Sequence, residues 1–176
     1  ISNEASCKNC ISAGASDGVG GFIAYYTSEG PGPGTTARHV VHVLAEGTDT
    51  GCRRDGTSES QTVAPSCVDM TASGTSFASP NLAGAASVIR EYFEQGFYPD
   101  GTDQNASNAQ DKVRLVSGRL IRAMMIAAAS PILRDDLNGV KICPKNRFNH
   151  VWGWGQFFLT KALPLAAYPQ NTVSGL

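Results

Sequence analysis

A serine set among small residues and followed by a proline is the part of this sequence whose residue types could do covalent chemistry. The segment runs Ser73-Gly74-Thr75-Ser76-Phe77-Ala78-Ser79-Pro80. Gly74 can adopt backbone angles that a side chain forbids, so the segment is typical of a tight turn. If a helix begins there, its first N–H groups lie beside Ser76, where they could stabilise an oxyanion. The segment therefore predicts a serine at a helix start, with backbone N–H donors beside it.

The residues after this turn predict the helix that must position the serine. Apolar residues recur there at helical spacing, and they are Leu82, Ala83, Ala86, Ile89, Tyr92 and Phe93. Small residues at Ala78 and from 83 to 86 would let other backbones approach closely. We expect Pro80 in the first turn, where its missing N–H costs little. The alternative to a nucleophile is a serine that only caps a buried helix.

The same segment resembles the nucleophile motif of the subtilisin-like serine peptidases, or subtilases. Their pattern, Gly-Thr-Ser-X-Ala-Ser/Ala/Thr-Pro, is met from Gly74 to Pro80. By this resemblance Ser76 is the catalytic nucleophile, and Gly74, Thr75 and Ser76 form the oxyanion and nucleophile turn. The resemblance implies an α/β fold, part of a three-layer domain with a mainly parallel sheet and a central buried helix starting at the nucleophile. It also implies peptide-bond hydrolysis by acyl transfer.

Other segments extend the resemblance from Cys7 to Leu163. Residues 10–15 predict a buried strand similar to the family's Asn-Val-Ile-X-Val-Gly-Ala strand. Residues 117–129 predict a second helix, similar to the one that follows the family's serine. The Gly-X-Gly at 153–155, with a short strand and an Ala-Leu helix after it, is similar to the segment that closes subtilase domains. Two further strands are predicted at 22–26 and 38–45.

The subtilase motifs that carry the catalytic Asp, the catalytic His and the oxyanion Asn do not occur in this sequence. We therefore expect residues 1–176 to be the C-terminal portion of a subtilase catalytic domain, with Ile1 either an end left by cleavage or the boundary of an expressed fragment. The expected partner is the N-terminal half of the same domain or another chain, and the expected substrate is a peptide. Alone, the chain is expected to be inactive, since a serine without a base is a weak nucleophile. The alternative is a catalytically inactive, subtilase-derived structural or binding subunit.

Composition argues against several other functional classes. The 176 residues suit one domain, and a hydrophobic content of 41% suits a packed core. Charged residues make up 16% and the net charge is -1, which gives no electrostatic footprint for nucleic acid or an anionic membrane. No apolar run reaches the roughly 18 residues of a membrane span. The residues predict no cofactor, although the family resemblance makes structural calcium a candidate.

The cysteines predict an oxidising compartment, either extracellular or in the secretory pathway. They are Cys7, Cys10, Cys52, Cys67 and Cys143. Cys52 and Cys67 flank a polar loop or hairpin and are predicted to pair, which would contribute roughly 3 kcal/mol by closing about fifteen residues. Cys143 is expected to pair with Cys7 or Cys10. Asn105, in Asn-Ala-Ser, is a candidate glycosylation site.

A zinc site is a second chemistry that the residue types suggest. Cys7, Cys10, His39 and His42 are metal-ligand types, but their spacing does not fit a zinc finger. Strand alternation would also put the two histidines on opposite faces. We therefore predict no metal site and interpret the histidines as surface residues.

An α/β-hydrolase triad is the third chemistry. Ser76, Asp135 or Asp136, and His150 follow that fold's chain order, and residues 74–78 nearly fit Gly-X-Ser-X-Gly. Ala78 replaces the second glycine, and the residues before Gly74 are polar where that fold has a buried strand. Both departures favour the subtilase interpretation.

Overall fold

The computed structural model describes residues 4–17, 22–32, 40–55, 67–102, 111–136, 139–142 and 148–166. After a single 3-10 turn at Glu4–Ser6, the strands are β1 Ala13–Ser16, β2 Val43–Glu46, β3 Thr48–Asp55, β4 Cys67–Ser73, β5 Ala129–Ser130, β6 Leu133–Asp136, β7 Gly139–Ile142 and β8 Gln156–Phe157. The helices are α1 Thr75–Gln95, α2 Gly118–Ala127 and α3 Leu159–Ala162.

The main sheet has four strands in the order β1-β2-β8-β5. β2 pairs in parallel with both β1 and β8, whereas β8 pairs with β5 in the antiparallel sense. The pairs β3–β4 and β6–β7 form two separate two-stranded antiparallel sheets. The predicted α/β fold with a mainly parallel sheet is confirmed.

The two faces of the main sheet bury different residues. Consecutive strand residues point to opposite faces, so Val43 joins the larger core while Leu44 packs with Val41 and Ile132. α1 packs on β1 and β2. Its buried residues, all on one side of the helix, are Ala78, Leu82, Ile89, Tyr92 and Phe93. The predicted helix is therefore buried along one side only.

Local sequence signals set the ends of both longer helices. Gly96, in the left-handed region at φ 83°, ends α1, and its N–H reaches the carbonyls of Tyr92 and Phe93. Ser117 caps α2, since its hydroxyl accepts the Leu120 N–H at 3.2 Å. The second predicted helix is thereby confirmed over nearly its full length. In the described ranges, no helix combines the length and hydropathy needed to cross a membrane.

The predicted strand at 22–26 is wrong. It holds only isolated bridges, at Phe22 and at Ile23, which pairs with Ser16, and a turn follows that the Thr27 N–H closes on the Ala24 carbonyl. Tyr25 is 98% exposed on this turn. The turn still completes the edge of β1, because Ala15 donates its N–H to Thr27 Oγ1 at 2.8 Å. Its hydrogen bonds therefore replace those of a continuous strand.

β3 and β4, which carry Cys52 and Cys67, pair in the antiparallel sense, but their register does not favour the predicted disulfide. Cys52 lies opposite Met70, and Cys67 lies opposite Asp55. The two cysteines are thus staggered by three residues, about 10 Å along the strands. A disulfide needs its Cα atoms within about 7 Å. Pairing of Cys52 with Cys67 stays a prediction that would require a different register.

A disulfide joins Cys7 to Cys10. The expectation that one of them pairs with Cys143 is therefore not met in this structure. Cys143 itself lies outside the described residues, as does Asn105.

Tyr92 fastens α1 to the end of the described chain. Its hydroxyl donates to the Pro164 carbonyl at 2.7 Å, and its ring stacks on Phe97 with centroids 5.8 Å apart. Burial, helped by the nearby Asp100 charge, raises the pKa of Tyr92 to about 12. The buried hydroxyl therefore keeps its proton at a pH where an unfolded tyrosine loses it.

We expect the free energy of unfolding to fall as the pH rises from about 10 to about 12. In this window the unfolded tyrosine, with a pKa near 10, is ionised while folded Tyr92 still holds its proton, so alkali favours unfolding. Tyr92→Phe should remove this part of the slope and cost about 1 kcal/mol at pH 8 for the lost hydrogen bond. Urea unfolding between pH 8 and 11.5 measures both effects, with exposed Tyr25→Phe as the control. A Tyr92→Phe profile parallel to wild type would contradict the assignment.

Candidate active site

Ser76 is the second residue of α1, and its side chain is exposed. β4 ends at Ser73, Gly74 is the N-cap, and the helix begins at Thr75. Because Gly74 has no side chain, no hydroxyl caps this helix end. The alternative role of Ser76 as a helix cap is therefore wrong, and its hydroxyl is presented to solvent.

The helix start also supplies hydrogen-bond donors. The first N–H groups of a helix have no acceptor four residues earlier. Phe77 donates to the Gly74 carbonyl at 3.1 Å, whereas no acceptor among the described residues takes the Ser76 N–H. The helix dipole adds partial positive charge at this end. The serine thus carries beside its hydroxyl a donor that suits an oxyanion.

The turn that holds Ser76 is fastened to the carboxyl end of β2. Gly74 donates its N–H to the Gly47 carbonyl at 2.7 Å, and Gly47 donates to the Ser16 carbonyl at 2.9 Å. A Cβ on Gly47 would lie 2.6 Å from Ala15 Cβ and 3.1 Å from the Gly74 carbonyl oxygen. Only a glycine lets the turn approach β2 this closely. The sequence alone did not identify Gly47 as part of the site.

Pro80 lies one turn further along the helix than we expected. Since α1 begins at Thr75, Pro80 is its sixth residue. A residue there would normally donate its N–H to the Ser76 carbonyl, four residues earlier. Proline has no N–H, so the carbonyl of Ser76 lacks its helical partner. The first turn of α1 is therefore stabilised by one helical hydrogen bond fewer than usual.

The described histidines lie away from Ser76. His42 directly precedes β2 and Gly47 directly follows it, so they are about 16 Å apart along the strand. The turn that carries His150 lies at the His42 end, because the Trp154 N–H donates to the His42 carbonyl at 2.9 Å. His39 is outside the described residues. In the described part of the chain, no histidine is placed to act as the base for Ser76.

His42 is a buried structural residue and not the surface histidine we expected. Its exposure is 5%. Its Nδ1 accepts the Ser12 N–H at 2.9 Å, and its Nε2 contacts the Arg122 guanidinium. Across the described ranges, no three His, Cys, Asp or Glu side chains come together as a metal site.

The α/β-hydrolase arrangement is not assembled either. A strand, β4, does lead into the turn that carries Ser76. However, β4 pairs with β3 outside the main sheet, whereas a nucleophile elbow follows a strand of the central sheet. His150 lies at the far end of β2, and only the backbone of Asp135 and Asp136 is described.

Beyond Ser76, one side of α1 is exposed to solvent within the described part of the chain; we call it the uncovered face of α1. Its exposed residues include Pro80, Ala83, Gly84, Ser87 and Val88. A Cβ on Gly84 would meet no atom within 4 Å. Next to this face, a groove of about 340 Å³ runs between β1, α1 and α2. Its floor is apolar, formed by Ile11, Leu82, Ile121 and Met125, and Arg122 lines one side.

Comparison with known proteins agrees with this geometry. A family model described as Peptidase_S8, the subtilase family, matches residues 1–155. The match spans the turn, both longer helices and most of the main sheet. No curated protein matches the chain significantly.

Proposed function

Because the chain belongs to the subtilase family, we propose that it supplies the nucleophile, Ser76, of a serine endopeptidase. The catalytic Asp, the His and the oxyanion Asn would come from a separate N-terminal half. The observation that carries the proposal is the exposed Ser76 hydroxyl at the start of α1, beside an N–H that no described residue uses.

The proposed chemistry is acyl transfer to Ser76. As Oγ bonds to the substrate carbonyl carbon, the partner's imidazole takes the hydroxyl proton, and the carbonyl oxygen becomes an oxyanion that accepts the Ser76 N–H. The imidazolium then gives the proton to the leaving amine, which breaks the peptide bond. A water molecule repeats the sequence on the acyl-enzyme and releases the acid.

The uncovered face of α1 supports a partner of this kind. Because Ala83 and Gly84 are small, another backbone could pack closely against this side of the helix. The groove beside them has an apolar floor, and burying apolar surface of that kind favours association. A carboxylate from the partner could pair with Arg122 at its side. We propose that the N-terminal half of the domain covers this face.

A secretory or extracellular location is part of the proposal. The disulfide between Cys7 and Cys10 is typical of an oxidising compartment. The Asn-Ala-Ser sequence at Asn105 would be a glycan acceptor there.

The proposal predicts that the chain alone labels slowly with a fluorophosphonate and that adding the N-terminal half makes labelling fast. The reason is that Ser76 becomes a strong nucleophile only when a base removes its proton. Intact-protein mass spectrometry before and after labelling measures both rates, and the native mass of the purified particle shows whether a second chain is bound. Equal, slow rates with and without the half would count against a peptidase.

Equal, slow labelling rates with and without the N-terminal half would favour the alternative function, a subtilase-derived structural or binding subunit. The observation on its side is that no described histidine lies near Ser76. In that case the native particle should contain a partner chain, yet Ser76 should stay unreactive within it.

A further inference from the structure

Two side chains outside the motif tie the nucleophile turn to the end of β2. Tyr26 donates its hydroxyl to the Gly47 carbonyl at 2.8 Å, and Asn81 donates its amide to the Glu46 carbonyl at 3.0 Å. We propose that Tyr26 and Asn81 are positioning residues that fix Ser76 relative to the sheet. The inference rests on the proposed function, since it concerns how Ser76 reacts.

Tyr26 acts on the peptide unit to which the turn is attached. The Gly47 carbonyl oxygen accepts both the Tyr26 hydroxyl and the Gly74 N–H, at 2.8 and 2.7 Å. A carbonyl oxygen has two lone pairs, so both donors can be accommodated. On its other side Gly47 is held by its N–H bond to the Ser16 carbonyl. The Tyr26 hydroxyl therefore fixes the orientation of the carbonyl that receives Gly74.

Asn81 acts from the opposite side of Ser76. It lies five positions after the serine on α1, and its side chain reaches the carbonyl immediately before that of Gly47. Gly74 precedes Ser76 and Asn81 follows it, so bonds on both flanks attach the serine to the same strand end. Within the described residues, neither the Ser76 hydroxyl nor its N–H takes part in a hydrogen bond, so both are available for chemistry.

Pro80 explains why such external bonds matter here. The Ser76 carbonyl lacks the helical donor that residue 80 would normally supply. The first turn of α1 therefore depends more on its bonds to β2 than an ordinary helix start would. Losing one of these bonds should let the serine shift by a fraction of an ångström. A shift of about 1 Å at a reacting atom can cost about 10²-fold in rate.

The test measures fluorophosphonate acylation of Ser76 in the chain completed by its N-terminal half. Tyr26→Phe and Asn81→Asp each remove one donor at nearly constant size, and each should slow acylation about tenfold. The reagent concentration at half-maximal rate should not change, because the binding surface is kept. Asn81→His should recover much of the rate, since an imidazole N–H can donate to the same carbonyl. Tyr25→Phe and Thr160→Ala, whose side chains are exposed and do not lie on α1, should label like wild type.

A second measurement does not depend on activity. Hydrogen exchange of the Gly74 amide should become faster in Tyr26→Phe and Asn81→Asp, because both loosen its bond to the Gly47 carbonyl. Wild-type labelling rates together with unchanged exchange in both variants would overturn the inference. If the completed wild-type protein fails to label, the proposed function fails, and the exchange result still decides whether the two side chains hold the turn. Should Tyr26→Phe fold poorly, the comparison of Asn81→Asp with Asn81→His decides the matter.

Discussion

Ser76→Ala is expected to abolish both fluorophosphonate labelling and peptide hydrolysis by the completed protein, with turnover falling by about 10⁴-fold or more. The change removes the Oγ atom that would form the acyl-enzyme. The fold should survive, because the Ser76 side chain is exposed and Gly74 is the cap. Changes at such surface positions usually alter stability by less than about 0.5 kcal/mol.

The matched control for this substitution is Thr160→Ala. Thr160 is also exposed and lies on α3, outside the uncovered face of α1. It should keep wild-type labelling and turnover. If the completed protein still cleaves peptides at the wild-type rate after Ser76→Ala, Ser76 is not the nucleophile and the proposed mechanism is wrong.

Gly155→Ala is expected to destabilise the chain by about 3 kcal/mol or more, the largest effect on stability that we predict. Gly155 has φ +112°, a region that side chains disfavour, and a Cβ there would lie 2.0 Å from the Ser130 carbonyl oxygen. That contact is with backbone, so no side-chain rotation can relieve it. The substitution would also disturb the bond of 2.8 Å from the Leu44 N–H to the Gly155 carbonyl, which joins β2 to the segment before β8.

Gly84→Ala is the control with the opposite expected sign. It places the same methyl group in open space on the exposed side of α1. Alanine is favoured over glycine inside a helix, so the isolated chain should gain about 0.5 to 1 kcal/mol. Urea unfolding of both variants measures the difference. Equal effects of the two substitutions would mean that the backbone around Gly155 differs from the one described here.

The sequence determined the features that depend on neighbouring residues. The seven-residue motif predicted a serine at the start of a long helix, and the structure places Ser76 at the second position of α1. Ser117 and Gly96 mark helix ends by local hydrogen bonds and local backbone angles, which adjacent residues control. The Gly-X-Gly at 153–155 likewise predicted the short strand and helix that follow it. Family membership could be inferred from the same local motifs.

Only the tertiary structure decided which distant segments meet. It showed that Gly47 must be a glycine and that Tyr26 and Asn81 bond to the end of β2, contacts that join residues 21 and 35 positions apart. It also buried His42 beside Arg122 and turned the predicted strand at 22–26 into a turn that completes β1. No local pattern encodes these outcomes, because a hydrogen bond between remote residues depends on where packing brings their backbones. The serine could thus be found in the sequence, whereas the groups that hold it in place became visible only in the fold.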